Sequence, residues 1–229
     1  MNQVVIFNNK TSGRDKLARL IQYASKVAWY ILKENNAAGS SVDKFANLEY
    51  LLSNFRRILR LGRCLDTLYS AMNLIHHDDK LISFNCAISK IAYSMFLLCD
   101  HIIWFGRAGL ADIDTSRWNR IANKYWLFTI VINLARDYFE IKRLLAGSKM
   151  FAKCKCSDPK MAIRKLIEFS ETHKDVVLDL VKNSCDIFIP LAALNYVNLS
   201  PATIGMFGVV SSIVGIYTVV DPFAKLPLA

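Results

Sequence analysis

The sequence predicts an all-α fold: a helical membrane protein with N-terminal amphipathic helices and a C-terminal transmembrane helix. Apolar residues occupy 53% of the 229 positions, more than an ordinary soluble domain carries. Apolar patterns with a period of 3.6 residues recur along the chain, and no stretch alternates like a strand, so a sheet is not expected. The third observation is an uncharged run from Ile187 to Val220.

The clearest predicted anchor is Ala202 to Val220, which as a helix would reach about 28 Å, close to the thickness of a hydrocarbon core. Pro201 separates it from Ile187 to Leu199, which we expect to approach the membrane as a short, separate element. Small residues four apart in this span permit close contact with another helix. These predicted helix-packing residues are Gly208, Ser211, Ser212 and Gly215.

The first predicted helix begins near Thr11 or Ser12, where a hydroxyl can cap free amides, and ends near Asn35 and Asn36. One face is apolar from Leu17 to Ile31, and the opposite face is charged. The same spacing suits a helix at a lipid interface and a helix in the core of a soluble bundle, so both interpretations stay open.

The second predicted helix, Leu48 to Arg63, has an apolar face opposite a face that is almost entirely basic. A helix of this kind can lie in an anionic membrane surface, with its arginines reaching the headgroups. The predicted membrane-inserting residues are Leu48, Leu51, Leu52, Phe55, Ile58 and Leu59. The predicted headgroup-binding residues are Arg56, Arg57, Arg60 and Arg63. The alternative is a solvated arginine face on a bundle helix.

A possible first span, Leu81 to Phe105, contains Lys90 and Asp100, and such residues are costly in lipid unless they are paired or face a bundle interior. Spanning, re-entrant and interfacial placements therefore stay open. Tyr125 to Leu145 carries more charge and is expected to be a packed amphipathic helix.

The predicted organisation follows these segments. The regions are 1–80 (N-terminal amphipathic helices), 81–105 (apolar, possible first span), 106–146 (helical), 147–160 (basic linker), 161–185 (amphipathic helix) and 186–229 (anchoring and targeting, with its span at 202–220).

Enzymatic, metal and nucleic-acid functions find little support in the sequence. It contains no phosphate-binding glycine loop, nucleophile elbow or zinc-protease motif, so we expect no catalytic site and no cofactor. His76 to Asp79 is better explained as a polar turn than as a metal site, and Cys154 with Cys156 lack further ligands. The net charge of +10 favours an anionic partner, and the apolar excess favours lipid over nucleic acid.

Six stretches in order resemble the peroxisomal membrane protein 11 family, in particular its animal alpha and beta types. They are Arg14 to Ala24, Arg57 to Gly62, Asp100 to Leu110, Asn133 to Tyr138, Asn183 to Leu191 and Val209 to Gly215. Together they extend over nearly the whole chain. The chain departs from the family near Gly147 to Pro159, where some relatives carry a longer glycine-rich insert.

The resemblance implies an integral protein of the peroxisomal membrane that elongates and tubulates peroxisomes and promotes their fission and proliferation. It implies self-association, tail-anchored fission adaptors, a dynamin-related GTPase and the import receptor for peroxisomal membrane proteins as partners. The helix that bends membranes in the family corresponds to Leu48 to Arg63, and targeting and adaptor contacts correspond to Asp186 to Ala229. The residues leave two alternatives: a pore lined by Lys90, Asp100 and Arg136, and a passive scaffold for adaptors.

Overall fold

The computed structural model describes residues 10–36, 38–74, 80–147 and 167–224, together with residues 7 and 226. Within these ranges the chain is helical and has no β-strand, which confirms the predicted all-α class. The helices are α1 (Thr11–Glu34), α2 (Gly39–Leu59), α3 (Arg63–Leu74), α4 (Lys80–Arg107), α5 (Thr115–Gly147), α6 (Lys174–Asp186), α7 (Phe188–Ala193) and α8 (Pro201–Val220), followed by a 3₁₀ turn, Pro222–Ala224. Residues 167–172 form a further helical segment.

Local sequence sets several helix ends. Gly62, between α2 and α3, has φ +79°, a left-handed conformation that glycine adopts without strain. The Ser200 side chain caps α8 by accepting a hydrogen bond from the Thr203 amide at 3.2 Å, and Pro201 occupies the first turn, where its missing amide costs nothing. The hydroxyl cap expected for α1 is absent, because Lys10 precedes that helix and makes no side-chain capping bond.

The helices pack side by side into a ring. In order around it, α1, α2, α4, α5, α6 and α8 each contact the next, and α8 contacts α1. Neighbours α1 and α2 run antiparallel, since Lys26 bonds Glu49 at 3.0 Å while Asp15 near the start of α1 bonds Arg56 near the end of α2. Helix α3 packs against α4, and α7 contacts α5, α6 and α8.

The ring buries many polar side chains and exposes many large apolar ones. Charged and polar side chains from several helices are buried, including Asp15, Arg57, Asp100, Asp137 and Asp186. Large apolar side chains are exposed on α1 through α6 and on α8. Exposed apolar side chains on this many helices indicate a surface that meets lipid rather than water.

Two helices in the described ranges are long and apolar enough to cross a bilayer, Ile82–Arg107 in α4 and Pro201–Val220, which is α8. The predicted C-terminal span therefore begins one residue earlier than expected. Two charged residues in the middle of α4 face the interior of the bundle: Lys90 donates to the Ser70 hydroxyl at 3.1 Å, and Asp100 is 3% exposed. Both residues therefore avoid direct contact with lipid.

Two sequence predictions lie outside the described residues. These are the polar turn from His76 to Asp79, and the basic linker with Cys154 and Cys156. The predicted helix from Met161 is described only from Ile167, and it is interrupted at His173 before α6 begins.

Candidate functional site: an apolar surface fixed to a charged interior

The outer face of α2 is an exposed apolar stripe. Leu48, Leu51, Phe55 and Ile58 follow one another at helical spacing, and Leu51 is 63% exposed. The stripe continues through Leu61 and Gly62 onto α3, where Leu65, Leu68, Tyr69 and Met72 are exposed, as Leu61 is. We call this surface the α2–α3 apolar face. Residues at positions i, i+3 and i+7 share one side of a helix, so the spacing of these apolar residues in the sequence produces the face.

The opposite side of α2 carries arginines that point into the bundle. Arg56 Nε bonds Asp15 Oδ1 of α1 at 3.1 Å. Arg57 Nε bonds Asp100 Oδ1 of α4 at 3.0 Å, and Arg60 Nη2 lies 2.9 Å from Asp100 Oδ2. One helix is therefore bound to two neighbours through charge-assisted bonds, which are the stronger class of hydrogen bond.

Electrostatics reinforce this arginine cluster. Burial by itself raises the pKa of the Asp15 carboxyl, but Arg56 and Arg60 outweigh burial and hold that pKa below its usual value. The carboxylate therefore stays charged inside the bundle. Because a buried charge is tolerated only when it is paired, Asp15 and the arginines depend on one another.

A second charged cluster joins α1, α5 and α6. Arg19 of α1 pairs with Asp186 of α6. Arg136 of α5 pairs with its neighbour Asp137 at 2.9 Å and with Asp179 of α6. The Asn183 amide donates to Asp137 Oδ2 at 2.8 Å. Burial and the nearby Asp179 raise the pKa of Asp137.

The contact between α1 and α8 uses shape rather than charge. A Cβ at Gly205 would lie 2.6 Å from Val27 Cγ2, and a Cβ at Gly208 would collide with the Tyr23 ring. Glycine at these two positions lets the backbones approach closely, as small residues do between membrane helices. Helix α1 thus runs antiparallel beside the C-terminal span.

Between the charged clusters lies a polar cavity of about 560 Å³. Its walls come from α1, α3, α4, α5 and α6. A neighbouring cavity of about 290 Å³ lies against the arginine cluster. Lys16, Arg19, Arg63, Tyr93 and Trp126 line both cavities, so the two share a wall.

The family model for Peroxisomal biogenesis factor 11 (PEX11) matches residues 1–220. The chain belongs to the peroxisomal biogenesis factor 11 family. It is 30% identical to Peroxisomal membrane protein 11B of Homo sapiens and 29% identical to Peroxisomal membrane protein 11A of Homo sapiens, in each case over 99% of both chains. Peroxisomal membrane protein 11E of Arabidopsis thaliana is 28% identical over 97% of this chain and 93% of its own length. No solved structure matches the chain.

Membership of the peroxisomal biogenesis factor 11 family confirms the resemblance and makes the chain an integral protein of the peroxisomal membrane with a role in peroxisome biogenesis. The family is one of membrane proteins for organelle biogenesis rather than of enzymes. Among the described residues, no group of three side chains is placed to hold a metal ion.

The predicted site residues of this family member fall on two sides of α2. Four of the six predicted membrane-inserting residues are exposed, whereas Leu52 and Leu59 are half-buried. The placement of Arg57 and Arg60 differs from the sequence expectation, because both side chains are buried in ion pairs instead of reaching outward to headgroups. Arg56 is also directed inward, and Arg63 is half-buried at the cavity.

The predicted packing residues of α8 lie in contacts within one chain. Gly208, Ser211, Ser212 and Gly215 are all buried in the bundle, and Lys16 of α1 lies against Gly215. Asp186 could not be identified from the sequence as the partner of Arg19, since the two residues are 167 positions apart.

Proposed function

We propose that this protein remodels the peroxisomal membrane, elongating and tubulating it before fission, by inserting the α2–α3 apolar face into one leaflet. The observation that carries the proposal is the pairing of the two sides of α2. Its outer side exposes Leu51, Phe55 and Ile58, while its inner side is bound to α1 and α4 by arginines. The apolar face is therefore presented in a fixed orientation.

The energetics favour insertion. Burying one large apolar side chain completely stabilises it by roughly 1.5–3 kcal/mol. The free energy of insertion becomes more favourable with each further apolar side chain that one face buries at the headgroup boundary. Helices that enter only one leaflet expand it relative to the other, which favours curvature. Because the arginines are already paired within the chain, attraction to anionic lipid is secondary in this mechanism.

Self-association and recruitment complete the proposed function. Many copies at one place would concentrate inserted faces and increase curvature. We assign the recruitment of tail-anchored fission adaptors and a dynamin-related GTPase, and contact with the import receptor, to residues 186–229. This assignment is supported by family membership and by the candidate span, Pro201–Val220, that the region contains. The proposed function involves no catalysis.

Tubulation of liposomes by the full chain tests the insertion. Changing Leu51→Asp together with Phe55→Asp should abolish tubulation, because two charges would have to enter the leaflet. Ser116→Asp together with Asn198→Asp is the matched control, since it adds the same charges to exposed polar positions outside α2 and α3. Tubulation by the first variant at the wild-type level would refute the proposal, provided that it incorporates into liposomes as the wild type does.

A pore is the second candidate function, and the polar interior of the helix ring favours it. Lys90 and Arg136 line the larger cavity, and Asp100 lines the smaller one. Polar side chains facing inward in a membrane bundle are typical of ion and solute pathways. Planar-bilayer recordings test this candidate: Asn133→Asp, which adds a charge to the cavity wall, should change the ion selectivity of any conductance. An unchanged selectivity would argue against a path through the cavity.

A further inference from the structure

The larger cavity has an excess of positive charge. Five helices contribute six basic side chains to its wall, namely Lys16, Arg19, Arg63, Lys90, Arg136 and Lys182. Among the described residues, three carboxylates line it, those of Asp66, Asp179 and Asp186. Two of these are already used: Asp186 pairs with Arg19, and Asp179 pairs with Arg136 and Lys182.

An excess of cations in this cavity is unfavourable to the stability of the fold. The cavity lies inside a helical bundle of a membrane protein, and charges that are buried in such surroundings are stable only when they are compensated. Water in the cavity compensates part of the cost. A bound anion would compensate it more completely, because opposite charges attract more strongly at low dielectric.

Two groups on the wall have donors to offer an anion. Lys16 forms no salt bridge with any carboxylate of the described ranges. Burial, together with Lys182 and Arg19, lowers its pKa to about 7. The Nε–H of Arg19 is buried and has no hydrogen-bond acceptor in the part of the chain that the structure describes. Ser89, Thr129 and Asn133 add neutral polar atoms to the same wall.

We propose that this cavity is a binding site for an anion that carries a phosphate group. Arginine and lysine are the side chains that recognise phosphate, arginine through its planar fork and lysine as a point charge. The volume of about 560 Å³ falls within the range of small-molecule sites, roughly 300–1,000 Å³. The site is independent of the α2–α3 apolar face, so either proposal can fail without the other.

The phosphate could come from either of two sources. A free anion from the aqueous phase would enter the cavity from solution. A phospholipid would place its headgroup phosphate between the helices and keep its acyl chains against the apolar exterior. The chemistry at Lys16 and Arg19 is the same in both cases, so the binding experiment needs one arm for each source.

The experiment uses the full chain in phosphatidylcholine nanodiscs. One arm measures thermal stabilisation and affinity with inorganic pyrophosphate, and the other replaces part of the phosphatidylcholine with phosphatidic acid. Stabilisation in the first arm identifies a free anion, and stabilisation in the second arm alone identifies a lipid headgroup. Lys16→Met should weaken binding about tenfold, the effect of losing one charged hydrogen bond. Methionine keeps the apolar stem of Lys16 that packs on Gly215.

Two further variants keep the test decisive. Lys33→Met makes the same change at an exposed position of α1 and should leave binding unchanged. Asn133→Asp keeps the oxygen that accepts from Ser89 at 2.6 Å but adds a negative charge to the wall, so binding should weaken. The proposal is overturned if neither anion stabilises the wild type, or if both cavity variants bind as tightly as Lys33→Met.

Discussion

The two sides of α2 are held in different ways. On the inner side, Arg56, Arg57 and Arg60 bond carboxylates of α1 and α4. On the outer side, Leu51 and Phe55 lie exposed. The inner side determines where the helix sits, and the outer side determines what it can insert into. An amphipathic helix in a membrane protein can therefore direct its charges towards other helices instead of towards headgroups.

The largest expected effect comes from removing the carboxylate that two arginines share. Asp100→Asn leaves Arg57 and Arg60 buried without their common partner, and breaking a buried pair costs roughly 3–5 kcal/mol. We expect a large drop in the midpoint of thermal unfolding in detergent. Asp112→Asn, at an exposed loop position, is the control and should unfold like the wild type. Equal midpoints for the two variants would show that the inner side of α2 is not held by charge.

The next effect concerns the contact that is held by shape. Gly208→Val places a side chain against the Tyr23 ring, and overpacking of this kind costs about 1–3 kcal/mol. We expect a lower unfolding midpoint. Gly39→Val is the matched control, because nothing lies within 4 Å of a Cβ at Gly39. If Gly208→Val unfolds no earlier than this control, the close approach of α1 and α8 is not needed for stability.

A smaller effect should appear as a pH dependence. Burial, with Lys182 and Arg19 nearby, lowers the pKa of Lys16 from 10.5 to about 7 despite Asp186 and Asp15. Between these two values the unfolded chain binds more protons than the folded chain, so stability from this group rises with pH. Unfolding midpoints measured from pH 7 to 10 should therefore rise less for Lys16→Met than for the wild type. Parallel curves would contradict the lowered pKa.

The smallest effect on stability is expected on the outer side of α2. Leu51→Asp with Phe55→Asp should change the free energy of unfolding in detergent by no more than about 0.5 kcal/mol per site, as exposed substitutions usually do. The same variant should lose liposome tubulation. A large loss of stability would mean that these side chains pack within the protein, and the comparison of the two sides would fail.

The periodicity of apolar residues was sufficient to predict that the chain is helical and which side of α2 is apolar. The C-terminal span followed from the absence of charge between Asp186 and Asp221, a local property. The orientation of the arginines could not be predicted in this way. Arg56 donates a hydrogen bond to Asp15, 41 positions away in the sequence, and Arg57 donates one to Asp100, 43 positions away. The sequence of one helix does not identify partners at such separations along the chain. An arginine face can bind lipid headgroups or the carboxylates of other helices equally well.

The small residues of the span illustrate the same limit. Their spacing predicted a close helix contact but could not identify the partner. That partner is α1, at the other end of the chain, where Tyr23 and Val27 lie against Gly208 and Gly205. The cavity could not be predicted from the sequence either, because its basic side chains come from five helices and share no sequence pattern.

Photo-crosslinking from diazirine-labelled phospholipids would test the central claim most directly. The full chain is reconstituted, irradiated and digested, and the labelled residues of α2 are mapped by mass spectrometry. We predict that lipid adducts form on Leu51, Phe55 and Ile58, and that Arg57 and Arg60 stay unlabelled. Adducts concentrated on the two arginines, with none on the apolar side chains, would contradict the account.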